Sequence, residues 1–164
     1  MEIYMLSQDD TSKLWKLIEP INTGMLGNWN GEFLHSRPMQ LVQDEFTGAL
    51  YFFTHKSDSK VEEILKNREV NVTFSDQNEN TYVSVSGVTT LVSDQPTIDH
   101  YWNDVVAAWF PEGKDDPDCV LLKVDTYLAQ YWDSSSSKLI QLYKIAKANI
   151  KDETPDMGSN KKLS

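Results

Sequence analysis

Positive charge is scarce in this chain: 15 Lys and Arg stand against 25 Asp and Glu in 164 residues, a formal net charge of −10 and a pI near 4.6. A surface of that sign repels phosphate backbones and anionic bilayers, which sets aside nucleic acid and membranes as partners. Any phosphate-bearing ligand must be captured by a local positive site working against the overall field. Cysteine is nearly absent, and the single Cys119 allows no internal disulfide. No run approaches the roughly 20 apolar residues of a membrane helix. Met1–Asp10 has neither the basic start nor the apolar core of a signal peptide, so the expectation is a cytoplasmic protein. There is no G-x-G-x-x-G, no Walker loop and no G-x-S-x-G elbow. His35, His55 and His100 are scattered rather than spaced for a metal. The acidic run Asp115-Asp116-Pro117-Asp118 lacks the spacing of a calcium loop and reads as a solvated turn.

What is present is apolar periodicity. Apolar residues make up 40% of the chain, enough for one domain with a core. Ser7 with Asp10 predicts a helix start, Leu14, Leu17 and Ile18 one buried helical face, and Pro20 its end. Thr23–Trp29 and Phe33–Val42 flank Asn30-Gly31, a hairpin signal. Ala49–Thr54 is apolar on both faces and predicts a buried strand, Lys60–Asn67 a short helix, and Glu69–Ser75 an alternating strand. Tyr82–Val92 alternates around Gly87, where a bulge or corner is expected. Pro96 to Trp109 reads as one helix closed by Pro111. Cys119–Val124 and Thr126–Trp132 read as two strands. Lys138–Ile150 is patterned as an amphipathic helix. Residues 1–150 are thus expected to form the domain and 151–164 a loose polar tail. Six mostly antiparallel strands with short connections predict a mainly β fold with helices, a barrel rather than a doubly wound sheet.

Three features point to a ligand. The segment Thr54-His55-Lys56-Ser57-Asp58-Ser59-Lys60 leaves a buried strand and enters a helix, where free N–H groups, hydroxyls and a lysine suit a phosphate. Ordinary helix capping is the competing explanation. Arg37, beside Pro38 in an apolar strand, needs an anion or an exposed face. Both segments leave neighbouring strands and can converge on one phosphate. Five tryptophans are a high count; Trp15 and Trp102 have the spacing of core residues, whereas Trp109 and Trp132 end their elements and can wall a flat aromatic ligand.

Taken in order, Leu34-His35-Ser36-Arg37-Pro38-Met39, Leu50-Tyr51-Phe52-Phe53-Thr54 followed by Ser57-Asp58-Ser59-Lys60, Tyr82 to Gly87, and Ala108 to Gly113 leading to Ala129 to Asp133 resemble a known family. It is the general stress protein branch of the pyridoxamine 5′-phosphate oxidase-like, FMN-binding split barrels, and the likeness runs from about Leu14 to Trp132. The resemblance implies a six-stranded antiparallel split barrel, a homodimer and two FMN sites across its interface. It implies phosphate contacts at Arg37, Ser59 and Lys60, with Ser57 in the same turn. It implies strand edges along the flavin ring at Pro38, Met39, Gln40, Phe53 and Thr54, and aromatic contacts at Trp109 and Trp132. The oxidases carry Ser-Arg-Lys where this chain has Asp58-Ser59-Lys60, and a basic C-terminal segment where this chain has Asp133 and four serines, so pyridoxamine phosphate oxidation does not carry over. The expectation is a flavin-dependent oxidoreductase taking electrons from a donor such as NAD(P)H. The alternative is a non-catalytic module for FMN, haem or a deazaflavin. No catalytic residue is assigned; His55 is either a proton donor or a surface histidine.

Overall fold

The computed structural model describes residues 8–133 and 159–163. Helix α1 (Gln8–Ile18) buries Leu14 and Ile18, four residues apart on one face, with acids in its first turn and Lys16 in its last, as the helix dipole favours. Strands β1 (Thr23–Trp29) and β2 (Leu34–Gln40) form the expected hairpin, in register from Thr23↔Gln40 to Trp29↔Leu34. Asn30 Oδ1 accepts the N–H groups of Glu32 and Phe33, and Gly31 takes φ 105°, a left-handed backbone that glycine adopts without strain. The remaining elements are β3 (Ala49–His55), α2 (Ser59–Lys66), β4 (Glu69–Asp76), β5 (Thr81–Val92), α3 (Gln95–Tyr101), α4 (Asp104–Ala107), β6 (Cys119–Asp133) and β7 (Ser159–Leu163).

All pairings are antiparallel and the sheet order is β2-β1-β4-β5-β6-β3, with β7 added to β6. Alternation turns Leu26, Leu50, Phe52, Val72, Phe74, Val83, Val85, Leu122 and Val124 to one interior, where Leu14, Ile18 and Ile64 join them. The corner expected at Gly87 is present as a register shift between Ser86 and Gly87. A Cβ there would lie 2.6 Å from the Asp125 carbonyl oxygen and 2.6 Å from Val124 Cγ1, so only glycine lets the two strands cross this closely.

The end strands β2 and β3 form no ladder with each other. They are tied at one end: Val42 N–H donates to the Tyr51 carbonyl, and the buried Gln43 side chain receives the Tyr51 N–H and donates to the Ala49 carbonyl, each at 2.7 Å. A side chain thus does the work of a missing strand neighbour. Toward Pro38 and His55 the two edges part, and this is the split in the barrel.

Three expectations change. The helix expected from Pro96 to Trp109 is two helices, because Asn103 leaves helical geometry (φ −149°, ψ 173°) and its side chain accepts the Val106 N–H, starting a new helix instead of continuing the old one. The two strands expected on either side of Asp125 are one strand of 15 residues. Asp125 pairs with Ala49 and Val88 at once, and its carboxylate meets Lys123 at 2.8 Å. Within the tail expected to be loose, Ser159–Leu163 pairs with Ala129–Asp133 and Leu163 is buried. The Ser7 cap and the Lys138–Ile150 helix lie outside the described residues.

Candidate functional site

The split opens into a cavity of about 480 Å3, with β2 and its extension on one wall (Pro38, Met39, Gln40, Leu41, Val42), β3 on the other (Phe53, Thr54, His55), the start of α2 at one end (Asp58, Lys60) and α4 with its exit at the mouth (Val105, Val106, Trp109, Phe110). Its size lies within the range of about 300–1,000 Å3 typical of small-molecule and cofactor sites. The walls are chiefly apolar. A second hydrophobic cluster of Ile98, Val106, Phe110, Cys119 and Leu121, with Phe53 and Trp102 packed on it, supports the mouth.

Two donors stand out among the polar groups of the lining. Thr54 is 4% exposed, and its hydroxyl has no hydrogen-bond partner among the described residues. A buried hydroxyl left that way costs about 1–3 kcal/mol. Lys60 has only 11% of its side chain exposed, and its Nζ lies 2.5 Å from Asp58 Oδ2. Asp58 caps α2, accepting the Lys60 N–H on Oδ1 at 3.0 Å. Burial would raise the Asp58 carboxyl, but hydrogen bonds from the Lys60 ammonium and amide, aided by the charges of Lys60 and Arg37, hold it below the usual carboxylate range.

The loop between β3 and α2 is clamped from a distance. Asp118 Oδ1 accepts the Ser57 N–H at 2.7 Å and Oδ2 accepts the Ser57 hydroxyl at 2.9 Å. The same carboxylate lies 3.2 Å from His55 Nδ1, and the Lys56 N–H donates to the Asp118 carbonyl. The Ser57 amide, then its hydroxyl and His55, keep the Asp118 carboxyl below its ordinary value. With Nδ1 engaged and its ring packed on Phe110 at 4.3 Å between centroids, His55 is held from two sides.

Of the residues singled out from sequence, the cavity gathers Pro38, Met39, Gln40, Phe53, Thr54, Lys60 and Trp109. It does not gather Arg37, Ser57, Ser59 or Trp132. Arg37, 19% exposed at its side chain, is held in a network beside α2. Nη1 donates to Asn28 Oδ1 at 2.9 Å, and Nη2 lies 2.8 Å from His35 Nε2 and 3.4 Å from Glu63. His35 Nε2 is also 2.9 Å from Glu63; it donates to the carboxylate when protonated and accepts from Arg37 when not. Hydrogen bonds from Asn28, then His35, keep Glu63 below the usual range. The expected convergence of Arg37 with the loop is therefore indirect: its charge reaches Asp58, while its guanidinium has other partners. Ser57 is turned onto Asp118, Ser59 is an exposed first residue of α2, and Trp132 sits opposite Tyr82 on the sheet. Asp118 has no local signal as a clamp, because the acid sits in a run with the composition of a solvated turn. Asp58 too lines the cavity, and no local signal in its segment marks it as a wall.

Comparison with known proteins agrees with this architecture. The family model described as "Pyridoxamine 5'-phosphate oxidase like" matches residues 9–156. A solved structure from Jannaschia sp. CCS1, assigned to general stress protein 26, is 30% identical with a TM-score of 0.76, covering 96% of this chain and 99% of its own. The general stress FMN/FAD binding protein of Xanthomonas citri is 33% identical with a TM-score of 0.70, covering 80% and 93%. Among curated proteins, Protein bli-3 of Neurospora crassa is 23% identical over 141 residues, 80% of this chain and 68% of its own length. A split antiparallel barrel, a cavity in its seam, and a family match over nearly its whole length place this chain in the pyridoxamine 5′-phosphate oxidase-like family, among its general stress proteins.

Proposed function

We propose that this protein binds FMN in the seam cavity, as a homodimer in the cytoplasm, and acts as a flavin-dependent oxidoreductase drawing electrons from a donor such as NAD(P)H. The observation that carries the reading is the meeting of an unpartnered Thr54 hydroxyl and a nearly buried Lys60 ammonium in one apolar-walled cavity. A planar ring with a phosphate at one end fits such a set of groups: the walls take the ring, the hydroxyl and ammonium take the anion. Bound FMN supplies the hydride and electron chemistry. The chain's own part is to grip, orient and shield. Thr54 and Lys60 hold the phosphate. The β2 edge from Pro38 to Leu41 and Phe53 on β3 flank the ring. His55, steadied by Asp118, is the group placed to hold or release a proton. The FMN/FAD-binding description of the Xanthomonas citri relative supports the choice of ligand.

A dimer is supported by the outer face of β1, β4 and β5. In register there are Gly27↔Asn71↔Ser86 and Met25↔Thr73↔Ser84, mostly small or polar residues on which a flat partner can lie, with Met25, Tyr82 and Trp132 as exposed apolar side chains among and beside them. The test is to purify the protein, reconstitute it with FMN and record its visible spectrum, its mass in solution and the bleaching of any bound flavin by NADH or NADPH. Bound flavin in a particle of twice 18.8 kDa that bleaches with a nicotinamide supports the whole reading. Bound flavin that neither nicotinamide reduces leaves a binding module, and no bound flavin ends the proposal.

A further inference from the structure

Beside the seam, β2 carries a group that can serve only one of two neighbours at a time. His35 and Arg37 alternate on one face of the strand, and Glu63 reaches them from α2, one turn on from Lys60. His35 Nε2 lies 2.9 Å from Glu63 Oε2 and 2.8 Å from Arg37 Nη2. With a proton, that nitrogen donates to the carboxylate; without one, it accepts from the guanidinium. The other partners do not change with the proton. Asn28 pairs with His35 across the hairpin, accepts from Arg37 Nη1 at 2.9 Å and donates to Glu63 at 3.1 Å. That Asn28 bond is the chief reason the Glu63 carboxyl lies below its usual range, so it stays charged. Phe33 meets the His35 ring edge-on. Glu69 and Tyr127, joined to each other at 2.8 Å, share with His35 the lining of a groove outside the seam.

The charges decide what the proton does. With His35 neutral, Arg37 and Glu63 balance. With His35 protonated, one carboxylate serves two cations, and Arg37 Nη2 loses an acceptor and gains a like charge beside it. Its alternative is close by. Pro38 and Met39, the next residues of β2, line the cavity, and the charge of Arg37 already acts on Asp58 at the start of α2.

We infer that His35 is a proton-operated latch on Arg37: neutral, it holds the guanidinium within the Asn28–Glu63 network; protonated, it turns to Glu63 and releases Arg37 toward a phosphate on Lys60, so that FMN is gripped more tightly in mild acid. This inference rests on the flavin reading above. The coupling is reciprocal, so bound FMN favours the protonated ring.

Two substitutions fix the latch in opposite states, His35→Gln without the charge and His35→Lys with it. Full-length protein stripped of ligand is titrated with FMN and with riboflavin, which has no phosphate, by the quenching of flavin fluorescence; a thermal melt verifies folding. Each variant is compared with the unaltered protein at the same pH, so that the titration of the phosphate itself, whose second pKa is about 6, cancels. His35→Gln should match the unaltered protein at about pH 8 and bind FMN about three- to tenfold more weakly at about pH 5.5, across the range where histidine changes charge. His35→Lys should bind FMN about three- to tenfold more tightly at about pH 8 and match at about pH 5.5. Riboflavin ratios should stay within about twofold throughout. Proton resonances of the His35 ring in the unaltered protein give a readout that needs no stable variant: their titration should move to higher pH with FMN bound, and not with riboflavin. The inference is overturned if a folded variant keeps the same FMN ratio at both pH values, if the ratio moves the other way, if riboflavin follows FMN, or if the ring titrates alike with and without FMN; flavin binding itself then still stands. Absence of binding by both flavins to every form overturns the flavin reading, and this inference with it.

Discussion

The closed side of the barrel and its open seam are built on opposite terms. Across β4, β5 and β6 the ladders run on with a single break, at the Ser86/Gly87 shift, and the side chains facing inward are chiefly apolar and buried, with Thr126 the buried hydroxyl without a partner there among the described residues. Across the gap between β2 and β3 there is one backbone bond and a glutamine standing in for a strand, then a cavity that holds a lysine, an aspartate, a histidine and a threonine hydroxyl with nothing to bond. Trp109, 71% exposed, stands at its mouth. The difference teaches where each property resides. The closed side supplies the stability that lets the seam keep groups that are costly to fold.

Breaking the closed side should have the largest effect. Phe52→Ala removes a fully buried ring from the interior and should cost about 3–5 kcal/mol, measured by denaturant unfolding, with flavin lost only as the fold is lost. Lys60→Ala should do the reverse. It removes the one ammonium of the lining and leaves Asp58 unpaired against the ligand, so FMN binding should weaken by about 2–3 kcal/mol; titration with riboflavin should show a smaller loss. Thr54→Val sharpens the contrast, because it should move the two properties in opposite directions. Removing a hydroxyl without a partner should stabilise the free protein by up to about 1 kcal/mol in a thermal melt, while FMN affinity falls. A valine variant that melts lower would show that the hydroxyl has a partner after all.

The smallest effect expected is that of acid. Asp58 and Asp118 have carboxyls held below their ordinary value of 3.8. A carboxyl depressed in the folded state contributes stability that is fully present above its unfolded value and is lost as pH falls through the folded one. Melting temperature should therefore hold steady above about pH 5 and decline below about pH 4. Asp118→Asn should flatten that decline and loosen the loop that positions His55. An unchanged acid limb in the variant would show that the clamp contributes nothing to it.

What was legible in the sequence follows from the range of the interactions. The β1–β2 hairpin was marked by Asn30-Gly31, the burial of β3 by an unbroken apolar run, and the corner of β5 by Gly87, each a signal carried within a few residues. That Lys60 and Thr54 would lie together, as they do in the cavity lining, was legible because a strand running into a helix start is itself a local motif. That Arg37 lies outside the cavity lining was not legible, because Glu63, 26 residues away, and Asn28 take its guanidinium, and nothing in its own segment announces that.

By itself, then, the amino-acid order determined the alternation of strand and helix, the acidic surface, the lysine at the start of α2 and the family. Only tertiary structure decided that Asp118, 61 residues from Ser57, clamps the site loop, that Asp125 sits inside one long strand, and that the carboxylate of Asp58 shares a cavity with Thr54. Periodicity and turn chemistry act along the chain and leave their mark in it. Charge pairing and hydrogen bonding between distant segments depend on distances that exist only once the sheet has curled and left its seam open.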